Sequence, residues 1–183
     1  LAEEGFTLLK NDGDLLPMQP KEGQSKIKAS MFGNYSQSLI TCGFGSSDNW
    51  KGTMSVYDAF ADSDFELNPT LKNFYANDGV TPTSGHDSID AYRVGLPIRE
   101  TPIEKYTQEV KESYKDYDDV AIVFLARSAG EGSDVPQISL QANFAERSDE
   151  YKLDGARHWD DHYLQINEDE VDMLQMVMDN FDD

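Results

Sequence analysis

The chain has 183 residues, which bounds it to one domain or one and a fraction. Hydrophobic residues make up 38% and aromatics 11%, enough for a packed core, while no apolar run nears the roughly 20 residues of a membrane span. A net charge of -20 and a pI near 4.3 oppose binding to nucleic acid phosphates and anionic lipid surfaces; they suit a neutral or cationic partner without identifying one, surface solvation being the commoner reason for such a charge.

In chain order, AEEGFTLLK at 2–10 predicts a short helix, with Glu3 and Glu4 in its first turn and Phe6, Leu8 and Leu9 as apolar surface. Asn11-Asp12-Gly13 is a stop and turn signal. KIKASMF at 26–32 alternates in part and predicts a strand ending at Gly33. A polar stretch follows, with GFGSSDNWKG at 43–52. Tyr57, Ala59 and Phe60 open a helical or irregular element. Phe65-Glu66-Leu67 predicts a short strand, and Pro69 a helix start with Leu71, Phe74 and Tyr75 on one face. Residues 77–100 are rich in Gly, Pro, Ser, Thr and Asp and predict a long surface loop. From Ile103 to Tyr114 the pattern is helical, with Tyr106, Val110 and Tyr114 on one face, and Tyr117-Asp118-Asp119 makes a turn.

VAIVFLA at 120–126 is apolar on both faces, which predicts a strand inside a parallel sheet covered by helices. Residues 127–163 are polar and loop-like. Asn167 can cap a last helix with Glu170 at the capping-box position, and Val171, Leu174, Val177 and Met178 supply its apolar face. The alternation of helix and strand predicts an α/β fold with a mainly parallel sheet. The sheet is expected to be incomplete at its C-terminal end, because a closing helix of this kind feeds a further strand. The start at Leu1 and the stop just after a helix predict a piece of a longer protein.

Ligands of open α/β sheets collect beyond the carboxyl ends of the strands. Two loops leave there. One carries Gly43, Gly45, Ser46 and Ser47 some way after the first strand; the other runs from Arg127 to Asp134 directly after VAIVFLA. In the second, Gly130 and Gly132 flank Glu131, and glycines allow positive φ and close approach of a ring-shaped ligand. Glycosidases need two carboxyl groups about the bond they break, one of which donates a proton. Burial or the nearby Asp134 would raise the proton affinity of Glu131, and a close Arg127 would lower it. On spacing alone, an incidental glutamate in a glycine-rich surface turn is the commoner case.

Other patterns are weaker. GFGSS has Asp48 where a dinucleotide fingerprint needs glycine, and no Gly-Lys-Ser/Thr phosphate loop is present. His158 and His162 are four apart, but the segment lacks helical periodicity and the glutamate of HExxH, so surface histidines beside a packed Trp159 are expected. Cys42 is the single cysteine and has no internal disulfide partner. Ser128 has no catalytic histidine close in sequence, and the acidic tail from Asp179 to Asp183 lacks EF-hand spacing.

Taken together, the segments resemble one family. AEEGFTLLKNDGDLLPM is similar to the opening of the C-terminal α/β-sandwich domain of glycoside hydrolase family 3, where a helix ends in VLLKN-(D)G-LLPL and the next strand ends in FG. Leu8-Leu9-Lys10-Asn11, Leu15-Leu16-Pro17 and Met31-Phe32-Gly33 carry that match. Gly43-Phe44-Gly45-Ser46 looks like the family's Gly-Ser-rich loop, with Ser47 where a further glycine is frequent. ARSAGEGSD at 126–134 looks like its SR-(S/A)GEG-D segment, and Leu164-Gln165-Ile166-Asn167 resembles the lead into a later helix. The segments at 77–100 and 145–161 match no family motif.

The resemblance implies a three-layer αβα sandwich forming a single domain over 1–183, with no metal or organic cofactor. It also implies a retaining, two-step β-glycosidase acting on a β-linked oligosaccharide or glycoside. Glu131 would be the general acid/base. Arg127, Asp134, Gly43, Gly45, Ser46 and Ser47 would bind or position the sugar. The nucleophile, an aspartate, would come from an N-terminal (β/α)8 barrel domain of the same full-length chain, with the two carboxyls about 5 Å apart. The alternatives are a non-catalytic carbohydrate-binding or scaffold module and an unrelated acidic α/β binding domain.

Overall fold

The sheet is built on β1, Ile27–Phe32. The structure, a computed structural model, describes residues 2–37, 54–79, 100–127 and 164–181. β2 (Phe65–Leu67) and β3 (Val120–Val123) both pair with β1 in parallel, giving the order β2-β1-β3. Ile27 lies opposite Phe65 on one side, and Ala29 opposite Val120 and Phe32 opposite Val123 on the other.

Strand side chains alternate between faces, and the two cores follow that alternation. Phe32 of β1, with Ala121 and Val123 of β3, faces the larger core. Leu71, Phe74 and Tyr75 of α3 (Pro69–Asn77), Val110 of α4 (Gln108–Ser113) and Met173 and Met176 of α5 (Glu168–Asn180) complete it. Met31, with Ile122 and Phe124, faces the other way, onto Val56 and Tyr57 of α2 (Val56–Phe60). Helices therefore cover both faces of a parallel sheet, the three-layer α/β arrangement expected from the sequence.

The strongest apolar run joins a parallel sheet as expected. Among the described residues β1, not β3, holds the centre, and β3 is half-buried along its length. β1 owes its place to pairing on both sides, although it is less apolar. Its Ser30 is fully buried because the hydroxyl donates to Tyr117 O at 3.0 Å and accepts from Asn68 Nδ2 at 3.2 Å.

α3 begins as expected. Asn68 Oδ1 accepts the amides of Thr70 and Leu71 at 3.0 and 3.1 Å, and Pro69 occupies the first turn, where its missing N–H costs nothing. The region from Ile103 to Tyr114 is not one helix. A 3-10 turn at Ile103–Lys105 ends in extended backbone at Tyr106, Thr107 Oγ1 then caps α4 through Val110 N at 3.3 Å, and a second 3-10 turn spans Tyr114–Asp116. The capping threonine restarts the helix. Tyr106, Val110 and Tyr114 still meet in the larger core.

The first helix, α1, covers only Ala2–Gly5, shorter than the expected 2–10. Phe6 and Leu9 are 86% and 91% exposed, so nothing among the described residues gives that apolar side a surface to fold against. Asn11 closes the following turn with its side chain, Nδ2 donating to Leu16 O at 2.7 Å and Oδ1 accepting Leu16 N at 2.9 Å.

α5 carries the expected capping box, Asn167 and Glu170 each accepting the other's amide. Its buried stripe is rotated from expectation: Glu170, Met173 and Met176 are buried, Leu174 and Val177 pack at the side, and Met178 is 72% exposed. The expected role of Glu170 was capping alone, whereas its carboxylate also turns inward to Arg127.

Candidate active site

The order β2-β1-β3 makes β1 the strand where the winding reverses. The connection from β1 to β2 carries α2 on one face, and that from β2 to β3 carries α3 and α4 on the other. In such sheets the reversal opens a crevice at the carboxyl ends of the two strands that flank it. Those strands are β1 and β3, and they are the two that lead into the 43–47 and 128–134 stretches.

The exits of β1 and β3 are held tightly together. Phe124 N donates to Phe32 O at 2.9 Å, extending the ladder past β3. Gly33, at φ +97°, lies so near Phe124 O that a Cβ would collide with it. The hydroxyl of Tyr75 accepts Gly33 N at 2.8 Å and hydrogen-bonds the hydroxyl of Tyr106. Burial pushes both phenols well above their ordinary range.

Behind this turn sits Glu100, only 3% exposed. Its Oε2 accepts Asn34 N at 3.0 Å and its Oε1 accepts Thr101 N at 2.7 Å, while Thr101 Oγ1 donates to Asn34 Oδ1 at 2.7 Å. Burial pushes the Glu100 carboxyl from 4.5 up to about 7, assisted by the nearby charges of Glu170 and Asp169 and opposed by the two amides. The first residues beyond β1 are thus anchored by a buried carboxyl.

The exit of β3 is anchored by Arg127. Its Nη1 donates to Glu170 Oε1 at 2.7 Å and to Ala126 O at 2.8 Å, and its Nη2 donates to Glu170 Oε2 at 2.8 Å and to Gln165 O at 2.7 Å. Glu170 Oε2 also accepts Asn167 N at 3.0 Å. The pair is well shielded, the Arg127 side chain being 18% exposed and that of Glu170 2%.

Of the expected site residues, Arg127 is the one the structure places. Glu131, Asp134, Gly43, Gly45, Ser46 and Ser47 lie outside the described residues, as do Cys42, Ser128, His158, His162 and most of the expected 77–100 loop. Sequence reasoning missed Glu100 and the second role of Glu170. The capping-box pattern flagged Glu170, but nothing local marks Glu100 as buried. Among the described residues no group of three or more His, Cys, Asp or Glu could hold a metal ion, and no helix is long and apolar enough to cross a membrane.

Compared with protein families, residues 6–151 match the glycosyl hydrolase family 3 C-terminal domain. The chain belongs to that family. The match takes in β1, β2 and β3 and both stretches that follow the switch-point strands; α5 and Glu170 lie beyond it. Comparison with curated proteins, and with solved structures, gave no match. Membership links this family 3 domain to glycosyl hydrolysis by the full-length protein, and a domain of this kind typically sits with other domains in its chain.

Proposed function

We propose that this domain supplies the acid/base wall of a retaining β-glycosidase, β-glucosidase-like, that releases terminal β-linked sugars. The observation that carries the reading is that the GEG stretch, within the family match, lies in the connection that leaves β3, a strand flanking the switch point of a parallel sheet. In this reading Glu131 donates its proton to the glycosidic oxygen as the C–O bond breaks. An aspartate from a (β/α)8 barrel of the same full-length chain attacks the anomeric carbon and forms a glycosyl ester. Glu131 then takes a proton from water, which attacks the same carbon and frees the aspartate. Asp134 and the small residues Gly43, Gly45, Ser46 and Ser47 form the sugar-facing surroundings. Arg127 orders the start of the GEG stretch.

The test is kinetic and uses the full-length enzyme on an aryl β-glucoside. Glu131→Gln should slow both formation and breakdown of the glycosyl ester. Rates unchanged in both steps would remove Glu131 from the mechanism and favour a non-catalytic carbohydrate-binding or scaffold module.

A further inference from the structure

We infer that the Arg127–Glu170 ion pair is a positioning device for Glu131, fixing both ends of the connection that carries it. The inference rests on the assignment of Glu131 as the acid/base. Arg127 ends the described part of the β3 exit, and Gln165, Asn167 and Glu170 stand where the chain enters α5. One guanidinium therefore joins the start of the 128–163 stretch to its end.

The geometry suits a rigid joint. The contact is bidentate, with two charge-assisted bonds of 2.7 and 2.8 Å. The Glu170 carboxylate takes a third donor, Asn167 N, so the same group that receives Arg127 also caps α5. α5 is in turn set by Met173 and Met176 in the larger core. A movable surface ion pair would have none of these supports.

The same bonds argue against Arg127 as a direct sugar ligand. A guanidinium has five N–H donors. Four are used, two on Glu170 and one each on the carbonyls of Ala126 and Gln165. The fifth, on Nε, is buried. Glu131 follows Arg127 by four residues, at most about 14 Å of extended chain, so the anchored arginine bounds how far from it the acid can lie. Misplacing a catalytic group by about 1 Å can cost on the order of a hundredfold in rate.

The experiment compares leaving groups in the full-length enzyme. Wild type, Arg127→Lys, Glu170→Gln and Glu131→Gln are assayed on phenyl and 2,4-dinitrophenyl β-glycosides of the sugar that wild type hydrolyses fastest. Dinitrophenolate departs without protonation; phenolate needs the acid. Both clamp variants should lose about tenfold to a hundredfold more kcat/KM on the phenyl than on the dinitrophenyl substrate. The ratio of the two is independent of how much enzyme is folded, so loss of stability cannot mimic it. A wild-type ratio in both clamp variants, with selective loss in Glu131→Gln, overturns the positioning role and leaves the acid/base assignment standing. No selective loss in Glu131→Gln itself removes the acid/base assignment and the inference together.

Discussion

Gly33 lies directly against the carbonyl oxygen of Phe124, and this contact joins the exits of the two strands that flank the switch point. Its backbone sits at φ +97°, ψ 141°, where a side chain is strained even without the contact. Gly33→Ala should therefore destabilise the protein by at least about 1–3 kcal/mol from backbone strain alone. Urea unfolding measures it, and an alanine variant as stable as wild type would contradict the contact.

Glu100 makes stability depend on pH in a defined direction. Its carboxyl is raised from 4.5 to about 7 in the folded state, so between those values the folded protein binds a proton that the unfolded chain has released. Its contribution is fully present below 4.5 and is lost as pH rises through about 7. The slope approaches about 1.4 kcal/mol per pH unit within that window. Unfolding of wild type and Glu100→Gln at several pH values should show this slope in wild type and its absence in the variant. Parallel curves would refute the buried, raised carboxyl.

Met173 and Met178 lie on the same helix and test its orientation. Met173 is fully buried and Met178 is 72% exposed. Met173→Ala should cost about 2–5 kcal/mol and Met178→Ala within about 0.5 kcal/mol of nothing. Thermal melts of the two distinguish the observed stripe from the one the sequence suggested, which would place the larger loss at Met178.

Asn68 both caps α3 and bridges Ser30 to Ser113, with Nδ2 at 3.2 and 2.9 Å from the two hydroxyls. Asn68→Ala removes the cap and the amide donor that both serine hydroxyls accept, although each still donates to a carbonyl, so a loss of about 2 kcal/mol or more is expected. A loss no larger than that of an exposed cap, such as Ser55→Ala on α2, would show that the buried half of the network contributes nothing.

The legible parts of this protein are those encoded locally. The strand at 27–32 announces itself by partial alternation, that at 120–123 by apolar content, α3 by Asn68-Pro69, and α5 by its capping box. Three features escape such reading because each depends on distant partners. Burial of Glu100 depends on the Asn34 amide, 66 residues away. The inward turn of Glu170 depends on Arg127, 43 residues away, and it rotates the apolar face of α5. The central place of β1 depends on strand order, which apolarity alone does not set. The break at Tyr106 and Thr107 is a different case: a capping threonine overrode a helical period that still described which residues are buried. For the site, the GEG stretch and Arg127 were visible in sequence, and the ion pair that occupies Arg127 was not.

In the proposed function, Glu131 is the acid/base of a retaining β-glycosidase. The most direct measurement of that role is azide rescue of Glu131→Ala in the full-length enzyme, with the product identified by NMR. Without its base, the variant should stall at the glycosyl ester formed from an activated aryl β-glycoside. Azide, which needs no deprotonation, should restore turnover and yield the β-glycosyl azide. An alanine variant that turns over normally without azide, or one that azide neither accelerates nor converts to that product, would contradict the assignment.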